Sequence, residues 1–223
     1  MSQPLAGTCE GFVLAGGRSS RMGKDKAQII FNGAPLIQHA VGILHAAGLE
    51  ARIAGARTDL SGFAATVVDD PAYPGLGPLS GICPALDASA ARFVVFVPVD
   101  LPLLPASLVR YLVHHAQVAD SAIALASVGG FVETFPVVID RAAAPALAAS
   151  LRSANRKCLS AFQTAADALS KPMSVVSVEL LLQAGQVCDP GGLSAQAWFL
   201  SVNTPEDLIR AEGLRAHRVD QIS

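Results

Sequence analysis

The chain has little charge and few aromatic rings. Asp, Glu, Lys and Arg make up 15% of its 223 residues, and Phe, Trp and Tyr 5%. The formal net charge is −2, which leaves no broad basic face for nucleic acid. Cys9, Cys83, Cys158 and Cys188 lie far apart with no C-x-x-C pair. Neither a disulfide framework nor a zinc site is indicated, and separate reduced thiols are expected. No apolar run approaches the roughly 20 residues needed to cross a membrane. The opening MSQPLAGTCE is neither basic nor apolar over enough length for a signal peptide. The expectation is a cytoplasmic protein with no nucleic-acid and no membrane partner. Two phosphate motifs are missing as well. Gly23-Lys24 is followed by Asp25 rather than Ser or Thr, so there is no P-loop, and the N-terminal Gly-rich stretch has no G-x-G-x-x-G. The histidines, His39, His45, His114, His115 and His217, show no ligand spacing beyond one adjacent pair, and no Ser/His/Asp arrangement is visible.

What remains is a chain of 52% apolar residues, rich in Ala, with ample material for one core. Its length suits one α/β domain. Apolar strand-like runs alternate with helix-like periods, which predicts a parallel sheet covered by helices. The expected strands are 12–14, 52–54, 66–68, 93–97, 122–126, 136–139, 175–178 and 199–202. A helix is expected from Pro35 with Leu36, Ile37, Ala40, Val41, Leu44 and Ala47 on its apolar face, ended by Gly48. Others are expected over 79–87, 105–117, 142–151, 159–168 and 205–212, the last with Thr204 as its N-cap. Asn32-Gly33 signals a turn, and Trp198 is expected in the core.

The stretch Gly11 to Ala27, GFVLAGGRSSRMGKDKA, stands out. A buried-strand run, Phe12-Val13-Leu14, passes directly into Ala15-Gly16-Gly17. Arg18, Arg21, Lys24 and Lys26 follow with almost nothing apolar between them. Glycines admit an anion close to backbone N–H groups, and neighbouring cations neutralise it. The pattern points to a polyphosphate site at the end of a strand. Open α/β sheets bind ligands at the carboxyl ends of their strands. Two further carboxylate sites fall at such ends: Asp69-Asp70 after Val68, and Asp100 just past Val97. An aspartate there can be a turn former or, facing polyphosphate, a magnesium ligand.

Residues Leu14 to Ala27 resemble the signature L-A-G-G-x-S-x-R-M-G-x-D-K-A of the molybdenum cofactor guanylyltransferases, in the nucleotidyltransferase superfamily; every specified position matches. The likeness continues in order. FVPVDLPLLP is similar to the family's F-x-P-x-D-x-P-x-x-P, DPAYPGLGPLSG to D-x-x-x-x-x-G-P-L-x-G, and FLSVNTPEDL to F-x-N-V-N-T-P-E-[DE]-L. Ser201 replaces the first asparagine of the last motif, keeping a hydrogen-bonding group with shorter reach. Ala54 stands where the family tends to carry asparagine, and GGFVETFPVV over 129–138 matches only loosely.

The resemblance implies a Rossmann-like nucleotide-diphospho-sugar transferase fold, three-layered, with a mostly parallel sheet flanked by helices. It implies one nucleotidyltransferase domain over 1–223, with a nucleotide half at about 11–105 and an acceptor half at about 106–213. It further implies Mg²⁺-dependent transfer of GMP from GTP to molybdopterin, with molybdoenzyme maturation proteins as further partners. Backbone amides of Ala15 to Gly17, after Leu14, with Arg21 and Lys26, would hold the phosphates. Asp100 would hold Mg²⁺. Asp70 and the Gly77-Pro78-Leu79 turn would hold the nucleotide. Arg156, Lys157, Ser201 and Asn203 would face the acceptor. Guanine over cytosine is read from Gly16 alone, because L-A-A-G is common in cytidylyl and sugar-phosphate enzymes. CTP as donor, a sugar phosphate as acceptor, and a non-catalytic nucleotide-binding partner of molybdoenzymes stay open as alternatives.

Overall fold

A computed structural model describes residues 9–16, 25–55, 60–67, 77–153 and 157–216. The first strand, β1 (Cys9–Leu14), has Phe12 and Val13 fully buried on its two faces. After it come β2 (Ile30–Phe31) and β3 (Ala34–Pro35), a two-stranded hairpin. Its turn residues, Asn32 and Gly33, both adopt positive φ, 45° and 82°. Helix α1 (Leu36–Ala46) buries Leu36, Ile37, Ala40, Val41 and Leu44. It starts one residue later than expected, because Pro35 pairs with Ile30 in the hairpin and serves as an extended cap residue. Gly48 closes the helix at φ 84°: its N–H reaches the His45 carbonyl at 2.9 Å, and Leu49 N–H reaches Leu44 at 3.0 Å. Gly11 lets α1 approach β1, since a Cβ there would meet Leu44 at 2.8 Å.

The chain continues through β4 (Ala51–Ala54), β5 (Ala65–Val67), α2 (Leu79–Ala88) and β6 (Phe93–Pro98). Next are α3 (Ala106–Val118), β7 (Ile123–Val128), β8 (Phe131–Val132) and β9 (Val137–Asp140). A short 3-10 turn, Arg141–Ala143, leads into α4 (Ala144–Arg152). The helix expected from residue 142 begins at 144 because Pro145, which has no N–H to give, sits in its first turn. After α5 (Cys158–Leu169) and β10 (Met173–Ser177), the short helix α6 (Val178–Gln183) has no counterpart in the expected elements; Ser177 Oγ caps it by accepting from Leu180 N–H. The last helices are α7 (Ala195–Trp198) and α8 (Pro205–Ala216), with Trp198 fully buried.

The sheet runs β10-β7-β9-β6-β1-β4-β5, with β8 paired to β7. Pairings of β1 with β4 and β6, β4 with β5, and β7 with β10 are parallel. β9 lies antiparallel between β6 and β7, because the short β7-β8 reversal returns the chain downward. One apolar core, with α1 and α3, covers one face; a second, with α2, α4 and α5, covers the other. Phe12 and Phe96 stack on the second face at 5.8 Å. The expected strand at 199–202 is absent. Phe199 ends α7, and Val202 N–H reaches only the Asp100 carbonyl, at 2.9 Å, so this segment crosses the strand ends instead of joining the ladder.

Candidate active site

The carboxyl ends of β1 and β6 lie side by side, with Leu14 in register with Pro98. Val99 N–H donates to the Leu14 carbonyl at 3.1 Å, and Ala15 N–H to the Ala54 carbonyl at 2.9 Å. These bonds hold the two loops as they leave the sheet. The Ala15 amide, expected to face phosphate, is thus bonded within the sheet, while Gly16, one residue on, is exposed. Asp25 accepts from Ala27 N–H at 3.0 Å and starts the 3-10 turn Lys26–Gln28. Ala27 is thereby buried, and the turn sends Lys26 across the mouth of the sheet.

Lys26 Nζ lies 3.0 Å from Asp100 Oδ2, with the two side chains 17% and 22% exposed. The same ammonium donates to Asn203 Oδ1. Asn203 Nδ2 donates in turn to Ser201 Oγ at 2.8 Å. The loop carrying both residues is held from two directions. Val202 binds the Asp100 carbonyl, and Asp207 accepts from the N–H groups of Asn203 and Thr204 at 3.0 and 2.9 Å. Thr204 Oγ1 accepts from Asp207 N–H at 3.2 Å, a reciprocal capping box at the start of α8. The Asn203 N–H, above all, holds the Asp207 carboxyl below its usual range.

Lys26, Asp100 and Ser201 border a cleft of about 640 Å³. One wall is built by Leu14, Ala54, Gly55, Gly77, Pro78 and Gly81. Gly77 adopts φ 82°, and its carbonyl accepts from Ser80 Oγ at 2.7 Å, fixing the turn into α2. The opposite wall carries Glu133, Thr134, Phe135, Phe199 and Ser201. Ala15, Gly16, Lys26 and Asp100 form the floor between them. A cleft of this volume is in the range that accommodates a nucleotide-sized ligand.

The structure therefore brings together most of the described residues singled out in the sequence. Leu79 is an exception: it is the first residue of α2 and is fully buried in the second core. Lys157 precedes α5 and does not line the cleft. Gly17, Arg21, Asp70 and Arg156 lie outside the described residues. Glu133, Thr134 and Phe135 were not singled out. Their segment matches the family pattern loosely, and the available signal was Pro136, which marks the entry to β9. Burial raises the Glu133 pKa. Among the described residues, no cluster of three His, Cys, Asp or Glu could hold a metal by itself. The four cysteines are free thiols. No described helix is long and apolar enough to cross a membrane.

A family model described as "MobA-like NTP transferase domain" matches residues 11–168. A protein of Rhizobium johnstonii named "Molybdenum cofactor guanylyltransferase" is 32% identical over 211 residues, 91% of this chain and 90% of that protein. A protein of the same name from Xanthomonas euvesicatoria is 41% identical over 109 residues, 48% of this chain and 54% of its own length. The crystal structure of molybdopterin-guanine dinucleotide biosynthesis protein A from Archaeoglobus fulgidus superposes with a TM-score of 0.73. That superposition covers 93% of this chain and 99% of the other at 20% identity, a likeness of fold.

Proposed function

The chain belongs to the MobA-like NTP transferase family and is a nucleotidyltransferase, and from that premise we propose that it transfers GMP from GTP to molybdopterin, releasing pyrophosphate. The observation that carries this reading is the Lys26 ammonium, held by Asp100 and Asn203 on the floor of a cleft of nucleotide size at the strand ends. The names of the relatives support guanine as the base and the molybdenum cofactor as acceptor.

The triphosphate would lie against Gly16 and Lys26, where β1 opens. Its base would rest on the Gly77-Pro78 wall. The acceptor would enter from the Glu133 and Ser201 side. A terminal phosphate monoester is already largely ionised at neutral pH, so its oxygen needs no general base. That oxygen forms a bond to the α-phosphorus. The bond from the α-phosphorus to the bridging oxygen breaks in line, and pyrophosphate leaves with the electron pair. Such chemistry depends on positioning and charge neutralisation. Lys26 supplies charge on the floor, and Asn203 keeps its ammonium from swinging away.

Magnesium fits this floor. Asp100 offers a hard carboxylate oxygen, Oδ1, beyond the one occupied by Lys26. Mg²⁺ commonly takes only one or two protein carboxylates and completes its shell with phosphate oxygens and water. Bound there, it would neutralise the phosphates and sharpen the electrophilic α-phosphorus. The test is pyrophosphate release from GTP, CTP, ATP and UTP in parallel, with Mg²⁺, with and without molybdopterin. Release from GTP alone, and only with acceptor, is expected. Release from CTP instead would overturn the base assignment, and release from none the whole reading.

A further inference from the structure

The cleft holds one charged group that the transfer chemistry does not use. Its charged lining side chains, among the described residues, are Lys26, Asp100 and Glu133. Lys26 and Asp100 neutralise one another. The Glu133 carboxylate has no hydrogen-bond or ion-pair partner among the described residues; only its backbone is fixed, N–H to the Ala126 carbonyl at 2.9 Å. A lone carboxylate beside a triphosphate and a phosphate monoester is repelled by both. It is tolerated there if a ligand brings uncharged N–H donors to it.

Its position decides which ligand. β9 runs antiparallel to β6 with Val137 opposite Phe96, so the three residues before Pro136 emerge at the carboxyl end of β6, next to Asp100. Sheet order puts β9 on one side of β6, and β1 and β4 on the other. Gly77-Pro78 lead into α2, which packs on β4 and β5, whereas Glu133 precedes β9 on the other side of β6 in the sheet order. Phe135 stands beside Glu133, half packed into the core and half lining the cleft. A carboxylate with an aromatic face next to it matches a flat heterocycle whose edge carries a ring N–H beside an amino group.

Resting on the reading that the acceptor is a pterin, we propose that Glu133 is its specificity residue. The carboxylate accepts hydrogen bonds from the pterin ring N–H and its 2-amino group, while Phe135 packs on the ring. Guanine presents the same edge, and the experiment separates the two sources. Glu133→Gln keeps the shape but replaces one acceptor oxygen by a donor. Binding is followed by fluorescence for a pterin phosphate monoester and for the matching lumazine phosphate, which has an oxo group in place of the amine. GTP and ITP, which lacks the 2-amino group, form the second arm.

The wild-type protein should prefer the pterin over the lumazine by about tenfold or more, as expected for a charge-assisted pair. Glu133→Gln should abolish that preference, leave the GTP/ITP ratio within about twofold, and keep the wild-type melting temperature. Loss in the GTP/ITP arm instead would move Glu133 to the donor base and overturn the proposal. Unchanged ratios in both arms would overturn it outright. So would a variant altered only in its Mg²⁺ requirement. Pyrophosphate release by the wild-type protein from GTP and molybdopterin, run alongside, separates failure of this assignment from failure of the transferase reading.

Discussion

The Lys26 ammonium and the Asp100 carboxylate meet at 3.0 Å across 74 residues of chain, at the point where β1 and β6 end together. Each restrains the other, and the shared bond fixes both side chains where the two strands end.

Lys26→Ala and Asp100→Asn should each lower kcat about a hundredfold, the usual scale for losing one electrostatic contact to a transition state. Because the two groups share a bond, the double variant should lose much less than the product of the single losses. Steady-state pyrophosphate assays on the three variants check this. Independent, multiplicative losses would mean the pair does not act as a unit.

Asn203→Ala should lower kcat/KM about tenfold, the scale of one charge-assisted hydrogen bond. Among the described residues the Asn203 side chain bonds Lys26 and Ser201, while its backbone N–H keeps the loop in place through Asp207. The melting temperature should therefore stay near that of the wild type. A variant that loses stability along with activity would show that the amide supports the loop itself.

The layout of the site was legible in the sequence where chemistry leaves local signatures. Among the described residues, Leu14 to Gly16, Lys26 and the Asp100 loop meet at the carboxyl ends of β1 and β6, whereas the Asn203 loop reaches Lys26 from a segment that is not a strand. Helix α1 was legible because its apolar spacing and its Gly48 stop are both local. The direction of β9 was not, since an apolar run reads alike in a parallel or antiparallel strand. The segment 199–202 looked like a strand for the same reason: Phe199 and Val202 are apolar and face the core, yet the ladder there is already complete. The bond from Lys26 to Asn203 spans 177 residues, and only the folded chain discloses it.

Asp207 ties the C-terminal loop to α8 through the N–H groups of Asn203 and Thr204, which lower its pKa from the ordinary 3.8. A carboxylate depressed in the folded state stabilises above its unfolded pKa, and that contribution fades as pH falls through the lower folded value. Asp207→Ala should melt earlier than wild type at neutral pH, with the gap closing as pH falls below the ordinary 3.8 and through the lower folded value. Thermal melts of both proteins across the acid range measure it. A gap independent of pH would assign the effect to packing.

Burial pushes the Cys9 thiol up to about 12 and the Cys158 thiol to about 11, whereas Cys188 is exposed. A thiol reagent near neutral pH should therefore modify Cys188 quickly, and Cys9 and Cys158 only after unfolding. The contribution of the neutral Cys9 thiol is complete below its ordinary 9.0 and lost as pH rises toward about 12. Cys9→Ala should accordingly show a shallower fall in stability over that alkaline range.

The central claim is that the α-phosphoryl group of GTP moves to the acceptor on the floor formed by Lys26 and Asp100. The most direct measurement is a single turnover with GTP labelled at the α-phosphorus, in the presence of Mg²⁺ and molybdopterin, with products separated. Label recovered in a pterin-guanine dinucleotide, with unlabelled pyrophosphate released in equal amount and both formed about a hundredfold more slowly by Lys26→Ala, is the predicted result. Label remaining in GTP, or appearing in free GMP or GDP without a dinucleotide, would contradict it.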